Sequence, residues 1–129
     1  MNPQSLIDTG FMFAVLDNSD EYHADCAKAY KNIRNALLPE AVLPELAFLL
    51  VRENKIKNLT DFLRYLADGN LNIISTEIQG LKRAAEILEK YADSRVDFVD
   101  CVIVAIAERL NIKRILTVDR RHFNRHYRK

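Results

Sequence analysis

The sequence has few residues that interrupt helices, and it has no long apolar run. Its 129 residues include three glycines and three prolines, so helix is expected to dominate the fold. No run of about 18 apolar residues is present, which argues against a membrane-spanning helix. The amino-terminal segment lacks the basic start and apolar core of a secretory signal. We therefore expect a cytoplasmic protein with no membrane partner.

Cysteine is also scarce. Cys26 and Cys101 lie in amphipathic or apolar segments, and their spacing suggests neither a zinc site nor a disulfide framework. A reducing compartment is the simplest setting for such a chain. The length fits one domain, expected to span residues 1–129, that can bury a sizeable core.

Several enzyme classes lack their motifs here. The chain contains no G-x-S-x-G elbow, no phosphate-binding Walker loop and no glycine-rich dinucleotide fingerprint. Asp8 is followed by Thr9 and Gly10, so the D-x-D pair of phosphoaspartyl phosphatases is missing too. These absences narrow the enzymatic options toward metal-assisted hydrolysis.

What the sequence does contain is a set of acids beside apolar segments. An apolar helix is predicted over residues 98–111. Asp97 directly precedes this helix, and Asp100 lies in its first turn. Asp119 directly follows a predicted strand over residues 114–118. Clustered carboxylates near apolar surface are costly without a partner. A cation is the simplest such partner, and we expect Asp8 and Glu45 to complete its site.

Short strands alternate with helices along the chain, which predicts an α/β fold with a parallel sheet covered by helices. Asp8 closes the first predicted strand, and Thr9 with Gly10 is expected to form a turn. Pro44 fits the first turn of a helix and places Glu45 near its start. Thr60 is expected to cap a helix over residues 61–68. Ligands of such folds bind beyond the carboxyl ends of the strands, where Asp8 and Asp119 fall.

Each acid also has an ordinary structural explanation. Asp97 is a common helix cap, Asp8 and Asp119 fit turns, and Glu45 and Asp100 fit the positive end of a helix dipole. The acids together favour a hard divalent ion, Mg²⁺ or Mn²⁺, which prefers oxygen ligands. Such ions activate water and stabilise the leaving oxygen in phosphodiester cleavage.

The carboxyl-terminal segment is basic, although the net charge of the chain is only +1. Residues 109–129 hold eight lysines and arginines against the single acid Asp119. A basic segment beside an acidic cluster suits a phosphate-backbone ligand that also needs metals. A solvated, solubilising tail is the alternative. In the tail, His122 and His126 fit a surface basic face better than a metal pair.

The order of four segments resembles the PIN-domain ribonucleases, and within them the VapC-like toxins of prokaryotic toxin–antitoxin pairs. The segments are LIDTG, LPELAFLL, DFVDCVIVAIAE and ILTVDRRHF. This resemblance covers nearly the whole chain and implies a single-domain PIN-like fold, with a central parallel sheet of four to five short strands between helices. It implies a metal-dependent endoribonuclease using Mg²⁺ or Mn²⁺, a homodimer, and a cognate antitoxin as partner.

By position, the resemblance places a catalytic and metal-binding quartet on Asp8, Glu45, Asp100 and Asp119. Auxiliary positions match Asp97, Thr9 and Thr117, whereas the role of Asp93 stays open. The basic residues expected to meet RNA phosphates are Arg120, Arg121, Arg125 and Arg128. Two alternatives remain: a PIN-like nuclease that processes RNA without an antitoxin, and a non-catalytic module that binds RNA or protein.

Overall fold

A computed structural model describes residues 3–118 of the chain. Within that range, strands and helices alternate as the sequence predicts. The four strands are β1 (Ser5–Ile7), β2 (Ala36–Pro39), β3 (Asn72–Ile74) and β4 (Arg114–Leu116). The six helices are α1 (Thr9–Leu16), α2 (His23–Asn32), α3 (Val42–Arg52), α4 (Ile56–Ala67), α5 (Ile78–Lys90) and α6 (Phe98–Leu110).

The strands form one parallel sheet in the order β3-β2-β1-β4. Every residue of β1 is buried, as expected of a central strand with apolar layers on both faces. Leu6 pairs with Leu37 of β2 on one side and with Ile115 of β4 on the other. All carboxyl ends therefore lie at the same edge of the sheet, and the predicted α/β class is confirmed.

Helix α6 is the most buried helix in this part of the chain. Cys101 to Ala107 form an unbroken run of buried residues, which is the pattern of a helix enclosed on all sides. Asn111 adopts a left-handed conformation with φ of 56° and ends the helix, a common role for asparagine. Because the buried run starts at Cys101, the first turn of α6, which carries Asp100, lies against the core.

Three predicted boundaries are wrong. The last strand ends at Leu116 rather than at residue 118, so Asp119 does not follow it directly. Thr9 and Gly10 are the first residues of α1 rather than a turn, because Asp8 caps the helix directly. Thr60 lies inside α4, which begins at Ile56, and its hydroxyl donates to the Lys57 carbonyl at 3.0 Å. Threonine makes such backbone bonds inside helices as well as at their starts. Within residues 3–118, no helix is long and apolar enough to cross a bilayer.

A buried acid fastens the end of α1 to the start of α4. Asp17 is 5% exposed, and its Oδ1 accepts from the Ser19 hydroxyl at 2.6 Å and the Ser19 amide at 3.0 Å. The Lys55 ammonium lies 3.3 Å from the same oxygen. The Ser19 hydroxyl bond is the main reason why the pKa of Asp17 is lowered, although burial opposes it.

This lowered pKa predicts a pH-dependent loss of stability in Asp17→Asn. An acid with a depressed folded-state pKa stabilises the fold above its ordinary value of about 3.9, and this contribution fades as pH falls through the folded-state pKa. At pH 7 we expect a loss of about 1.5–3 kcal/mol, as for hydrogen bonds to charged groups. Urea unfolding at pH 7 and pH 3 measures the difference.

Asp61→Asn is the matched control, because its ion pair with Lys57 is exposed and exposed pairs contribute little. An equal loss of stability at both pH values in Asp17→Asn would contradict the prediction.

Candidate active site

The site is built at the carboxyl end of β1. Asp8 follows that strand and is only 7% exposed. Its backbone amide donates to the Leu116 carbonyl of β4 at 3.1 Å, extending the ladder by one residue. Its carboxylate Oδ1 accepts from the Phe11 amide at 2.8 Å. The carboxylate is thus held in place by the helix that it caps.

A second carboxylate is presented by the first turn of α6. Asp97 caps this helix, with its Oδ1 accepting from the Asp100 amide at 2.8 Å, as predicted. The Asp97 side chain also acts on the Asp100 carboxyl group, because its charge raises the pKa of Asp100. In D-x-x-D the first aspartate is the cap and the second is the third residue of the helix, a spacing that brings the two side chains together. The sequence displays this spacing, but the prediction of Asp97 mainly as a cap does not use it.

Three other predicted acids act electrostatically on Asp100. Burial is the largest cause that raises the pKa of Asp100 to about 8, and the charges of Asp97, Asp8 and Glu45 raise it further. Glu45 contributes from the first turn of α3. Asp93 is exposed in the turn before α6 and is not among the groups that shift Asp100.

Two threonines were predicted as auxiliary residues. Thr9 is 7% exposed, and its hydroxyl is buried with no hydrogen-bond partner among the described residues. A buried hydroxyl without a partner costs free energy, which a bound water or ligand at this edge would recover. Thr117 is half-buried just after β4.

The remaining predicted site residues lie outside the described range. These are Asp119, Arg120, Arg121, Arg125 and Arg128. The two tail histidines lie outside it as well.

Within residues 3–118, no group of three acidic, histidine or cysteine side chains converges closely enough to hold an ion on its own. The described acids alone therefore do not form an ion site. Their chemistry fits a hard cation, because they are oxygen donors whose mutual repulsion a positive charge would relieve. The buried Thr9 hydroxyl has no hydrogen-bond partner among the described residues, and a water bound to such an ion would supply one.

Two cysteines lie close to these acids without belonging to them. Cys26 and Cys101 are both buried free thiols. Burial raises the pKa of each thiol, that of Cys101 to about 11, and nearby aspartates add to both shifts. Thiols in such surroundings stay protonated and unreactive, so nucleophilic cysteine chemistry has no support here.

A family model of the PIN domain matches residues 5–129. The chain belongs to the PIN domain family. Ribonuclease VapC26 of Mycobacterium tuberculosis is 31% identical over 120 residues, which cover 92% of this chain and 89% of that protein. The predicted VapC-like PIN resemblance is therefore confirmed.

Solved structures show the same fold at lower sequence identity. VapC20 of Mycobacterium tuberculosis, a Sarcin-Ricin loop cleaving toxin, superposes with a TM-score of 0.82 at 18% identity and covers 89% of each chain. VapBC2 from Rickettsia felis, bound to a DNA fragment from its promoter, gives 0.68 at 17% identity, covering 95% of this chain and 92% of that one. A toxin–antitoxin complex from Klebsiella pneumoniae gives 0.66 at 15% identity, covering 92% and 89%. These likenesses confirm the predicted PIN-like architecture.

Proposed function

We propose that this PIN domain is a metal-dependent endoribonuclease and the toxin of a toxin–antitoxin pair. One observation carries the proposal: the buried Asp8 at the end of β1 and the D-x-x-D pair Asp97 and Asp100 at the start of α6 interact through their charges, with Glu45 adding to the effect on Asp100. Carboxylates that repel one another in this way are unfavourable unless one of them takes up a proton or a cation binds beside them, and a bound cation would hold all of them ionised. A ribonuclease relative at 31% identity adds the class of reaction.

The proposed roles follow from how each side chain is held. Asp8 and Asp100 bind the ion, with Glu45 and Asp119 as the other members of the quartet. Asp97 orients Asp100 by capping α6, where its Oδ1 accepts from the Asp100 amide at 2.8 Å. The Thr9 hydroxyl, which is buried without a hydrogen-bond partner among the described residues, is proposed to bind a water near the ion. The ion, Mg²⁺ or Mn²⁺, supplies a Lewis acid and an activated water for phosphodiester hydrolysis.

The same proposal extends to binding partners. Single-stranded RNA is the proposed substrate, and Arg120, Arg121, Arg125 and Arg128 are proposed to contact its phosphates. The toxin–antitoxin complex from Klebsiella pneumoniae and VapBC2 from Rickettsia felis support an antitoxin protein as partner. A homodimer is proposed because α3 and α5 expose large apolar side chains, among them Phe48 at 63% and Ile78 at 77%.

Cleavage of a labelled single-stranded RNA by the purified protein tests the activity. We expect cleavage with Mg²⁺ or Mn²⁺ and none with a chelator. Asp8→Asn should retain the α1 cap, because an asparagine oxygen accepts the same bond, yet lose at least about 100-fold in rate, as when a preorganised electrostatic group is removed.

Calorimetric titration with Mn²⁺ separates an enzyme from a non-catalytic module. The wild-type protein should bind the ion, and Asp8→Asn should bind it far more weakly. An Asp8→Asn protein with full RNA cleavage would overturn the assignment. A short neighbouring reading frame whose small DNA-binding product co-purifies with this chain would support the antitoxin, whereas a stable partner-free protein would favour RNA processing.

A further inference from the structure

Two cavities lie along the amino edge of the sheet, at the opposite ends of the strands from the acids. One, of about 430 Å³, lies where β2 and β3 begin, because Ala36 and Asn72 are among its lining residues. The other, of about 200 Å³, lies where β4 begins, because Arg114 lines it. Arg34 lines the second cavity and Asn35 the first, so the two cavities adjoin. The proposed chemistry uses neither of them.

The charged side chains of these cavities are all cationic. Lys31 lines the larger cavity, and Arg34 and Arg114 line the smaller one. All three are exposed, and none of them has an ion-pair partner within residues 3–118. Among the described residues, no aspartate or glutamate lines either cavity. An anion held between Arg34 and Arg114 would relieve the repulsion of two like charges at one small cavity.

The neutral side chains of the cavities add hydrogen-bonding groups. Asn32 lines the smaller cavity, and Asn35, Asn70 and Asn72 line the larger one. Asn70 donates one amide hydrogen to the Tyr65 carbonyl at 3.1 Å, and its amide still has a second hydrogen and an acceptor oxygen. Proteins contact the phosphate and sugar groups of nucleic acids mainly with arginine, lysine and small polar side chains such as asparagine. The lining therefore fits a sugar-phosphate backbone.

The parallel sheet is what separates these cations from the acids. Residues 26–39 and 109–118 contain lysines and arginines but no aspartate or glutamate. The strand register brings the two segments to the same edge, because Ser5 pairs with Ala36 on one side and with Arg114 on the other. Strand β1 has three residues, so the two edges are about 10 Å apart along the strand direction. One extended ligand can therefore contact both edges.

We propose that the amino edge binds the phosphate backbone of RNA at a second place, away from the acids. This inference rests on the proposed nuclease function, because it assigns the surface to the same RNA substrate. Two adjoining cavities suit a polymer that carries a phosphate at every nucleotide, whereas a single small anion would occupy only one of them. Lys31, Arg34 and Arg114 contact phosphates remote from the cleaved bond, so they contribute to binding and not to chemistry.

The first test measures binding of a long labelled single-stranded RNA in chelator, by fluorescence anisotropy at several salt concentrations. Each phosphate contact with a single strand contributes about 0.7 to the slope of log K against log salt. The slope should therefore be smaller by about 1.4 in Arg34→Gln/Arg114→Gln and by about 0.7 in Lys31→Gln. Because all three side chains are exposed, the unfolding midpoints should stay close to that of the wild type.

Lys82→Gln/Lys90→Gln is the matched control for the arginine pair. It removes the same two positive charges from exposed positions in α5, and neither lysine lines a cavity of the amino edge. This variant should keep the wild-type slope. An equal decrease in the control would show that net charge, and not the amino edge, sets RNA affinity, and would overturn the inference.

The second test is cleavage of the same RNA with Mg²⁺. Arg34→Gln/Arg114→Gln should raise KM and leave kcat unchanged, because a remote phosphate contact is equally strong before and in the transition state. Its affinity for Mn²⁺ alone should also be that of the wild type. A lower kcat with unchanged KM would contradict a role in binding and would overturn the inference.

The remaining outcomes separate this inference from the function beneath it. Arg34→Gln/Arg114→Gln with the wild-type salt slope would overturn the inference and leave the nuclease intact. Calorimetric binding of inorganic phosphate that this variant loses, while its RNA binding is unchanged, would show a site for a free anion and would also overturn it. A wild-type protein that neither cleaves RNA nor binds Mn²⁺ would overturn the proposed function. The salt slopes in chelator would still support RNA binding at the amino edge if the arginine pair lowers them and the α5 control does not.

Discussion

Asp100→Asn should abolish RNA cleavage while leaving the metal-free protein at least as stable as the wild type. The carboxylate is a proposed ligand, so its loss should lower kcat by at least about 100-fold. Stability should move the other way, because burial and three neighbouring acids disfavour a charge at Asp100. Asparagine has nearly the same shape as aspartic acid and carries no charge. RNA cleavage assays and urea unfolding in chelator measure the two effects.

Asp25→Asn is the matched control for this substitution. Asp25 is also an aspartate in the first turn of a helix, α2, but it is exposed. It should retain full activity, and its stability should fall by no more than the few tenths of a kcal/mol typical of a dipole interaction. If Asp100→Asn cleaved RNA as the wild type does, Asp100 would not be a ligand. If the Asp100→Asn protein were markedly less stable than the wild type in chelator, the inference that burial and neighbouring acids disfavour a charge at Asp100 would be wrong.

Local patterns were enough to predict the frame that carries these acids. Asp97 caps α6 because a capping residue stands directly before an unbroken apolar run, and Asp100 follows at the spacing that caps require. Asp8 ends a buried strand, so its place at the edge of a parallel sheet followed from topology alone. Such features depend on neighbours in sequence, which a sequence displays.

Features that depend on tertiary packing could not be predicted in this way. The charge of Glu45 raises the pKa of Asp100. No local pattern predicts this interaction, because α3 and α6 are far apart in sequence. The predicted start of α4 is wrong because its actual start has no local signal: the residue before Ile56 is Lys55, which makes no side-chain cap bond. That helix start is instead fixed from α1, by the ion pair of Asp17 with Lys55 and by the bond from Asn58 to the Leu16 carbonyl at 2.7 Å.

Gly10 illustrates the same limit. Glycine after an aspartate and a threonine predicted a turn, because turns are where glycine most often supplies an unusual backbone. Here the backbone is helical, and a Cβ on Gly10 would lie 3.1 Å from Cγ2 of Val118, more than 100 residues later in the chain. The sequence shows that a residue is small but not which distant atom lies near it.

Ile103→Ala should cost more stability than any surface substitution in α5 or α6. Ile103 is fully buried in the middle of α6, within the run from Cys101 to Ala107. Removing a large core side chain loses its transfer free energy and leaves a cavity, which together cost about 2–5 kcal/mol. Domains of this size have total stabilities of about 5–15 kcal/mol, so this one change removes a large share. Urea unfolding at pH 7 measures the loss.

Leu81→Ala provides the comparison, because Leu81 in α5 is 46% exposed and should cost far less. Ile103 lies one helical turn after Asp100, so the two side chains share a face of α6. The alanine variant should nevertheless cleave RNA at low temperature, since the Asp97 cap still orients the first turn, and lose activity only as it unfolds. Equal losses of stability in the two variants would show that α6 is not the centre of the core. Loss of cleavage in a fully folded Ile103→Ala protein would show that core packing, and not the cap, holds Asp100 in place.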